Sequence, residues 1–160
     1  MELASWRGTR RLPIAEFVTG NRATERGADE LVTGIFVPDP LGVGRGGQAT
    51  SVFLKLGSRA YLVISIVMVA AVVVRDAENR ITSARIAVGA CSPVARRLPA
   101  LEAALEGQAL RAGIGQLVAQ QHLAPLAPID DVRGSAGYRQ RAALVLVRRA
   151  VEELATGVGR

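Results

Sequence analysis

Aromatic residues are scarce, at 4% of the 160 residues, with one tryptophan, Trp6. A core built from this chain therefore rests on Val, Leu, Ile and Ala. Cysteine is rarer still. Cys91 stands alone, so no intrachain disulfide can form, which fits a reducing cytoplasm. One cysteine and one histidine, His122, leave no metal cluster of the thiolate–imidazole kind. No apolar run reaches the roughly 20 residues that a membrane-spanning helix needs. Residues 62–74 come nearest, but the run is short and rich in β-branched residues, and it reads as a strand buried on both faces. The opening residues, MELASWRGTRRLPIAEF, hold no apolar segment of the secretory-signal kind.

What is abundant is aliphatic content and arginine. Hydrophobic residues make up 49% and charged residues 21%, a globular balance for one domain and too short for two large ones. The formal net charge is +6 and the pI about 10.9. Such a balance suits nucleic acid, an anionic cofactor or an acidic partner. The arginines are scattered in small clusters, Arg7-Arg10-Arg11, Arg96-Arg97, Arg139-Arg141 and Arg148-Arg149, without interleaved aromatics. That argues against a surface on which bases stack. Neither a nucleic-acid partner nor a membrane is expected.

Hydrophobic period places the elements. Residues 1–5 suit an edge strand, residues 15–17 a short helical turn, and residues 30–37 a strand stopped by Pro38-Asp39-Pro40. Residues 41–48 form a glycine-rich loop, and residues 50–56 a strand. Residues 60–74 read mostly as strand, entered through a turn near Tyr61. Asp76-Ala77-Glu78-Asn79 is a hairpin turn, and residues 80–90 are the partner strand with Ile81, Ala84, Ile86 and Val88 apolar. Pro99 opens a helix carrying Leu98, Leu101 and Leu105, and Gly107 ends it. Leu110, Ile114, Leu117 and Val118 give a second helical stripe. Ser135 caps a last helix whose apolar face is Leu144, Val147, Val151 and Leu154, and Gly157 stops it. Strands come first and helices last. The expected fold is α+β, an antiparallel sheet of about three to four strands with helices packed on one face.

Few residues offer chemistry. Gly42-x-Gly44-x-x-Gly47 matches a dinucleotide fingerprint by letter, but that motif must open a helix and residues 48–56 read as strand. A Cys91–His122 dyad is conceivable, yet nothing nearby would activate the thiol, and a packed cysteine is the preferred reading. Asp130-Asp131 are adjacent carboxylates, better suited to a turn or to pairing with Arg133 or Arg139 than to a dyad. Tyr138-Arg139 lies in the first turn of a helix and is read as structural, the alternative being a partner surface. Lys55 and Arg59 flank a Gly-Ser turn at a strand end. That is either a solvated basic turn or a cation aimed at an anionic or electron-rich ligand.

The stretch FLKLGSRAYLVISIVMVAAVVVRDAENRITSARIAVGACSP, residues 53–93, followed by the Asp-Asp-x-Arg-x-Ser-x-x-Tyr-Arg segment at residues 130–139, resembles the C-terminal part of the FAD-binding subunit of molybdenum hydroxylases. This is the family of xanthine dehydrogenase and carbon monoxide dehydrogenase. Residues 10–20, RRLPIAEFVTG, look like the segment closing the FAD-binding domain. Residues 100–107 and 148–150 resemble parts of the family's helices.

The resemblance implies a division into residues 1–40, a remnant of the end of the FAD-binding domain, residues 41–49, a glycine-rich linker, and residues 50–160, the flavoprotein C-terminal domain. The family's glycine-rich diphosphate loops are expected upstream, so most FAD contacts would come from residues this chain lacks. Of those present, Lys55, Tyr61, Leu62, Val63 and Ile64 are the implied cofactor-binding residues, and no catalytic or metal-binding residue is implied. The implied role is oxidoreductase electron transfer from iron–sulfur clusters through FAD to an external acceptor. Molybdopterin would sit in a molybdenum-binding large subunit, and the 2Fe-2S clusters in an iron–sulfur small subunit. The alternative is a non-enzymatic docking domain that binds those subunits without flavin.

Overall fold

The computed structural model describes residues 1–39 and 47–157. The chain divides into two compact units, Met1–Asp39 and Pro40–Arg160. In the first, β1 (Glu2–Ser5) lies between β2 (Gly8–Arg11) and β5 (Leu31–Gly34) in an antiparallel sheet. α1 (Ile14–Phe17) and the small hairpin of β3 (Val18–Gly20) and β4 (Ala23–Thr24) complete the unit. Residues 1–5 are thus a central strand and not the expected edge, because β5 returns along their second side. The strand expected over residues 30–37 is β5 alone, and Ile35, Phe36 and Val37 are exposed. Leu3 and Phe17 are this unit's buried apolar residues. A polar cluster reinforces so thin a core: Glu30 takes both Nε and Nη2 of Arg10, at 2.6 and 2.9 Å, and the Gly27 N–H at 2.6 Å.

The second unit is an antiparallel sheet in the order β6 (Gln48–Leu56), β7 (Val67–Arg75), β8 (Ile81–Gly89), β9 (Arg96–Arg97). Four helical segments follow β9: α2 (Pro99–Leu105), two 3₁₀ turns (Ile114–Leu117 and Gln120–Leu123), and α3 (Ala136–Thr156). The fold is α+β, with the helical layer packed on the sheet: α3 lies against β6 and β7, and α2 against β8. Alternation along β7 and β8 builds the shared core. Val67, Val69, Ala71 and Val73 meet Ala143, Val147, Ala150, Val151 and Leu154 of α3, while Ile86 and Val88 lie with Leu101 and Leu105 of α2. Each fully buried Val, Leu or Ile side chain contributes about 1.5–3 kcal/mol, and the alanines less.

The spacing of Ile81 and Ala84 is odd, which would put them on opposite faces of a regular strand. A bulge resolves it. Val74 pairs with Ser83 and Arg75 with Ile81, leaving Thr82 as the extra residue. The Thr82 hydroxyl donates to the Val74 carbonyl at 3.2 Å, and Ile81 returns to the buried face.

Three expectations fail here. β7 begins at Val67, not near residue 60, because β6 ends at Leu56 and the Ile66 N–H closes on the Leu56 carbonyl at 2.8 Å. Residues 57–65, including Tyr61 to Ile64, therefore have no strand partner and form a loop. β7 is covered mainly on one face: on the other, Ala70 is exposed, Met68 and Val72 are half-buried and Val74 is buried, while α3 packs on β6 and β7 and α2 on β8. The stripe at residues 110–118 is not a continuous helix but an extended segment followed by 3₁₀ turns. Gly113 and Gly115 disfavour a helix there, and a Cβ at Gly115 would lie 2.6 Å from the Arg148 carbonyl of α3.

Ser135 caps α3 as expected, its hydroxyl accepting from Tyr138 N at 3.2 Å. Gly42 and Gly44 of the dinucleotide-like pattern lie outside the described residues, as does most of the expected linker. β6 starts at Gln48, directly after Gly47, so the glycines lead into a strand. No helix among the described residues is long and apolar enough to cross a membrane.

Candidate functional site

The loop of residues 57–65 joins β6 to β7 and carries four of the five implied cofactor residues. The fifth, Lys55, sits on β6 opposite Met68. Two cations fasten the loop from within. Lys55 Nζ donates to the Val63 carbonyl at 2.7 Å, and Arg59 Nη2 donates to the Leu62 carbonyl at 2.6 Å. Neither is simply solvated, because each satisfies a carbonyl that the absent strand partner leaves open. The Val63 side chain folds over Gly57, where any Cβ would collide with its Cγ1. Val63 is half-buried by that contact. Leu62 takes a φ of 49°, in the left-handed region, and turns the chain at the tip.

This anchoring pushes apolar side chains outward. Tyr61 is 83% exposed, Leu62 94% and Ile64 62%. Of the five sequence-derived residues, the structure brings Lys55 and Val63 together through main chain, and presents Tyr61, Leu62 and Ile64 as a surface. A pinned loop with an apolar tip can form one wall against a flat apolar ring. The α3 N-terminus, where a phosphate would otherwise be held, is already taken: Ala136 N donates to Asp130 Oδ1 at 2.5 Å and Tyr138 N to Ser135 Oγ.

The remaining candidates resolve into structure. Cys91 is fully buried, its thiol donating to the Ile66 carbonyl at 3.9 Å, and burial pushes its pKa up. His122 Nδ1 accepts from the Ala119 N–H, so the two make no dyad. Asp131 pairs with both Arg133 and Arg139, and the Arg133 N–H and the Arg139 guanidinium hold its carboxyl at about 2. A cleft of about 620 Å³ lies in the first unit, but its arginines are committed to Glu30, Asp29 and nearby carbonyls. Among the described residues no group of His, Cys, Asp and Glu could hold a metal ion.

The structural reading of Arg139 and its pairing with Asp131 hold, while its reach to Ile66 and Ala90 was not foreseen. Arg139 is 3% exposed on the side chain and spans three segments, as set out below. The signal for it was faint: an arginine directly before the apolar face of the last helix.

The second unit is an α+β module, an antiparallel sheet with helices packed on it. Residues 53–154 match the family described as "CO dehydrogenase flavoprotein C-terminal domain", and the chain belongs to that family. It is 31% identical over 154 residues to the nicotine 6-hydroxylase medium subunit of Paenarthrobacter nicotinovorans, covering 96% of this chain and 51% of that one. Among solved structures, carbon monoxide dehydrogenase from Oligotropha carboxidovorans matches with a TM-score of 0.82 at 26% identity, over 97% of this chain and 52% of that one. Quinoline 2-oxidoreductase from Pseudomonas putida 86 shares the fold, with a TM-score of 0.84 at 24% identity over 100% of this chain and 53% of that one. The chain spans about half the length of these relatives.

Proposed function

We propose that this chain forms part of the FAD-binding subunit of a molybdenum hydroxylase, with the loop of residues 57–65 as one wall of the flavin site. The observation that carries this reading is the exposed Tyr61–Leu62–Ile64 tip, fixed by side-chain bonds to its own carbonyls. An apolar surface held open in this way loses little conformational entropy when a ring covers it. Residues 1–40 then correspond to the closing part of the FAD-binding domain, residues 41–49 to a linker, and residues 50–160 to the C-terminal domain.

Bound FAD would supply electron transfer, taking electrons from iron–sulfur clusters and passing them to an external acceptor. The residues of this chain orient and shield. Tyr61, Leu62 and Ile64 exclude water from one side of the ring, and Lys55 holds a positive charge at the base of the loop. Val63 acts through its carbonyl, which keeps Lys55 in place. The partners of such a subunit are a molybdopterin-carrying large subunit and a small subunit with 2Fe-2S clusters.

The test is a titration of the ¹⁵N-labelled chain with FAD, followed residue by residue. Shift changes confined to Lys55 and residues 61–64 are expected. Unperturbed amides in that loop at millimolar FAD overturn the reading. They favour a docking domain that binds the other subunits without flavin.

A further inference from the structure

Arg139, in the first turn of α3, reaches across 73 residues of chain to donate from Nη1 to the Ile66 carbonyl at 2.8 Å. The same nitrogen donates to the Ala90 carbonyl at 3.1 Å. Nη2 donates to Asp131 Oδ1 at 2.6 Å. Three chain segments therefore meet at one guanidinium: the residue that ends the 57–65 loop, the exit of β8, and the turn before α3. Ile66 is tied twice, since its N–H closes the loop on Leu56 while its carbonyl is held by Arg139. Ala90 holds a φ of 65°, a conformation costly for a residue with a Cβ, and its carbonyl is locked by the same contact.

Burying a guanidinium is expensive unless its protons are used. Arg139 is among the few buried charged residues of the chain, and its Nε finds no partner among the described residues. An aliphatic residue here would leave Asp131 and the Ile66 and Ala90 carbonyls without this donor. The planar fork does what no aliphatic side chain can: it donates to two carbonyls and a carboxylate at once. Asp131 in turn is oriented by the Arg133 N–H at 2.8 Å and the Arg133 guanidinium.

We infer that Arg139, oriented by Asp131, is a positioning residue that sets the root of the 57–65 loop and so the placement of the Tyr61–Leu62–Ile64 wall. This rests on the reading of that loop as a flavin wall. Arg139 touches no part of the tip; it acts through Ile66.

The experiment uses the whole chain with Asp131→Ala and Arg139→Lys, read by amide hydrogen exchange and by FAD titration of the labelled protein. Asp131 is half-buried, and Asp131→Ala leaves the Arg139 side chain and its two carbonyl bonds in place, so it serves as the second variant where Arg139→Lys is too damaging. Asp131→Ala removes three hydrogen bonds, two from Arg133 and one from Arg139, and loss of the Arg139 bond alone corresponds to about tenfold or more in a local equilibrium. The expected result is exchange about tenfold faster at Ile66 and the loop, with central β7 and β8 amides changed less than about twofold, and FAD binding about tenfold weaker. Exchange that rises evenly over β7, β8 and α3, or does not rise at the loop, overturns the inference. So does a loosened loop with unchanged FAD affinity. Wild-type chain that gives no FAD response while Asp131→Ala still loosens the loop removes the flavin reading, and with it the positioning role.

Discussion

Lys55 Nζ lies 2.7 Å from the carbonyl oxygen of Val63, eight residues on, and this bond closes the loop that shows Tyr61, Leu62 and Ile64 to the outside. An ammonium carries three protons, so one bond to Val63 leaves others for a ligand. Lys55→Met keeps the aliphatic stem and removes both roles. Loss of stability is expected to stay near 1 kcal/mol, the scale of one hydrogen bond at the surface. Loop amide exchange rises, and the FAD-induced shifts at residues 61–64 shrink. Unchanged FAD response in this variant removes Lys55 from the site.

Gly115→Ala tests the packing of the first 3₁₀ turn on α3. The new Cβ would fall 2.6 Å from the Arg148 carbonyl, which is helix backbone and cannot rotate aside. Glu152 also holds this turn, accepting from Gly113 N at 2.7 Å and Gly115 N at 3.0 Å. Overpacking of this kind costs about 1–3 kcal/mol. The expected outcome is a lower urea midpoint with an unchanged slope.

Leu101→Ala opens a cavity between α2 and β8. Leu101 is fully buried, and neighbouring Glu102 stitches the same junction by accepting from the Ile86 N–H at 2.8 Å and pairing with Arg97. The loss should reach about 2–5 kcal/mol by chemical denaturation. A loss below 1 kcal/mol would mean that the helix collapses onto the sheet, or that this junction is not part of the cooperative core.

Acid should weaken both units for the same reason. Glu30 is held at about 2 by the Arg10 guanidinium and the Gly27 N–H, and Asp131 at about 2 by the Arg133 N–H and Arg139. Both lie below their unfolded values of 4.5 and 3.8. The carboxylates therefore stabilise the fold above those unfolded values, and the contribution is lost as pH falls from about 4.5 towards 2. Melting temperatures measured from pH 6 down to about 2.5 should drop through this window. Glu30→Gln and Asp131→Asn should each flatten part of the drop.

Cys91 should be inert in the folded chain. It is buried among core residues and burial raises its thiol pKa. A thiol reagent at pH 8 is expected to react only after denaturant is added. Rapid labelling of native protein would show that the β8 exit opens far more readily than its contacts imply.

Much of the second unit was legible in the residues themselves. The alternation of Ala84, Ile86 and Val88, the Asp76–Asn79 turn, Pro99 at the first position of α2 and Ser135 as the cap of α3 are local signals, and local hydrogen bonding enforces them. The apolar run at residues 60–74 misled at its start. Composition cannot tell a strand from a loop built of strand-forming residues; the length of the partner β6 decides, and that ends at Leu56. Residues 110–118 misled because an apolar stripe at helical spacing is also produced by 3₁₀ turns packed on a core, and the two glycines were the clue against a helix.

For the site, the sequence by itself determined which residues are present: a basic turn, an apolar run after it, and an Asp-Asp-x-Arg-x-Ser-x-x-Tyr-Arg segment far downstream. It also determined that no disulfide within the chain could take part. Only the tertiary structure decided which way these face. Val63 turns in over Gly57 while its neighbours turn out, because Lys55 and Arg59 capture the loop carbonyls. Arg139 became a clamp and not a surface cation because helix packing on the sheet carried it to Ile66 and Ala90. Contacts across so much chain carry no local signature. They follow from where α3 lies against the sheet, and no stretch of the sequence encodes that by itself.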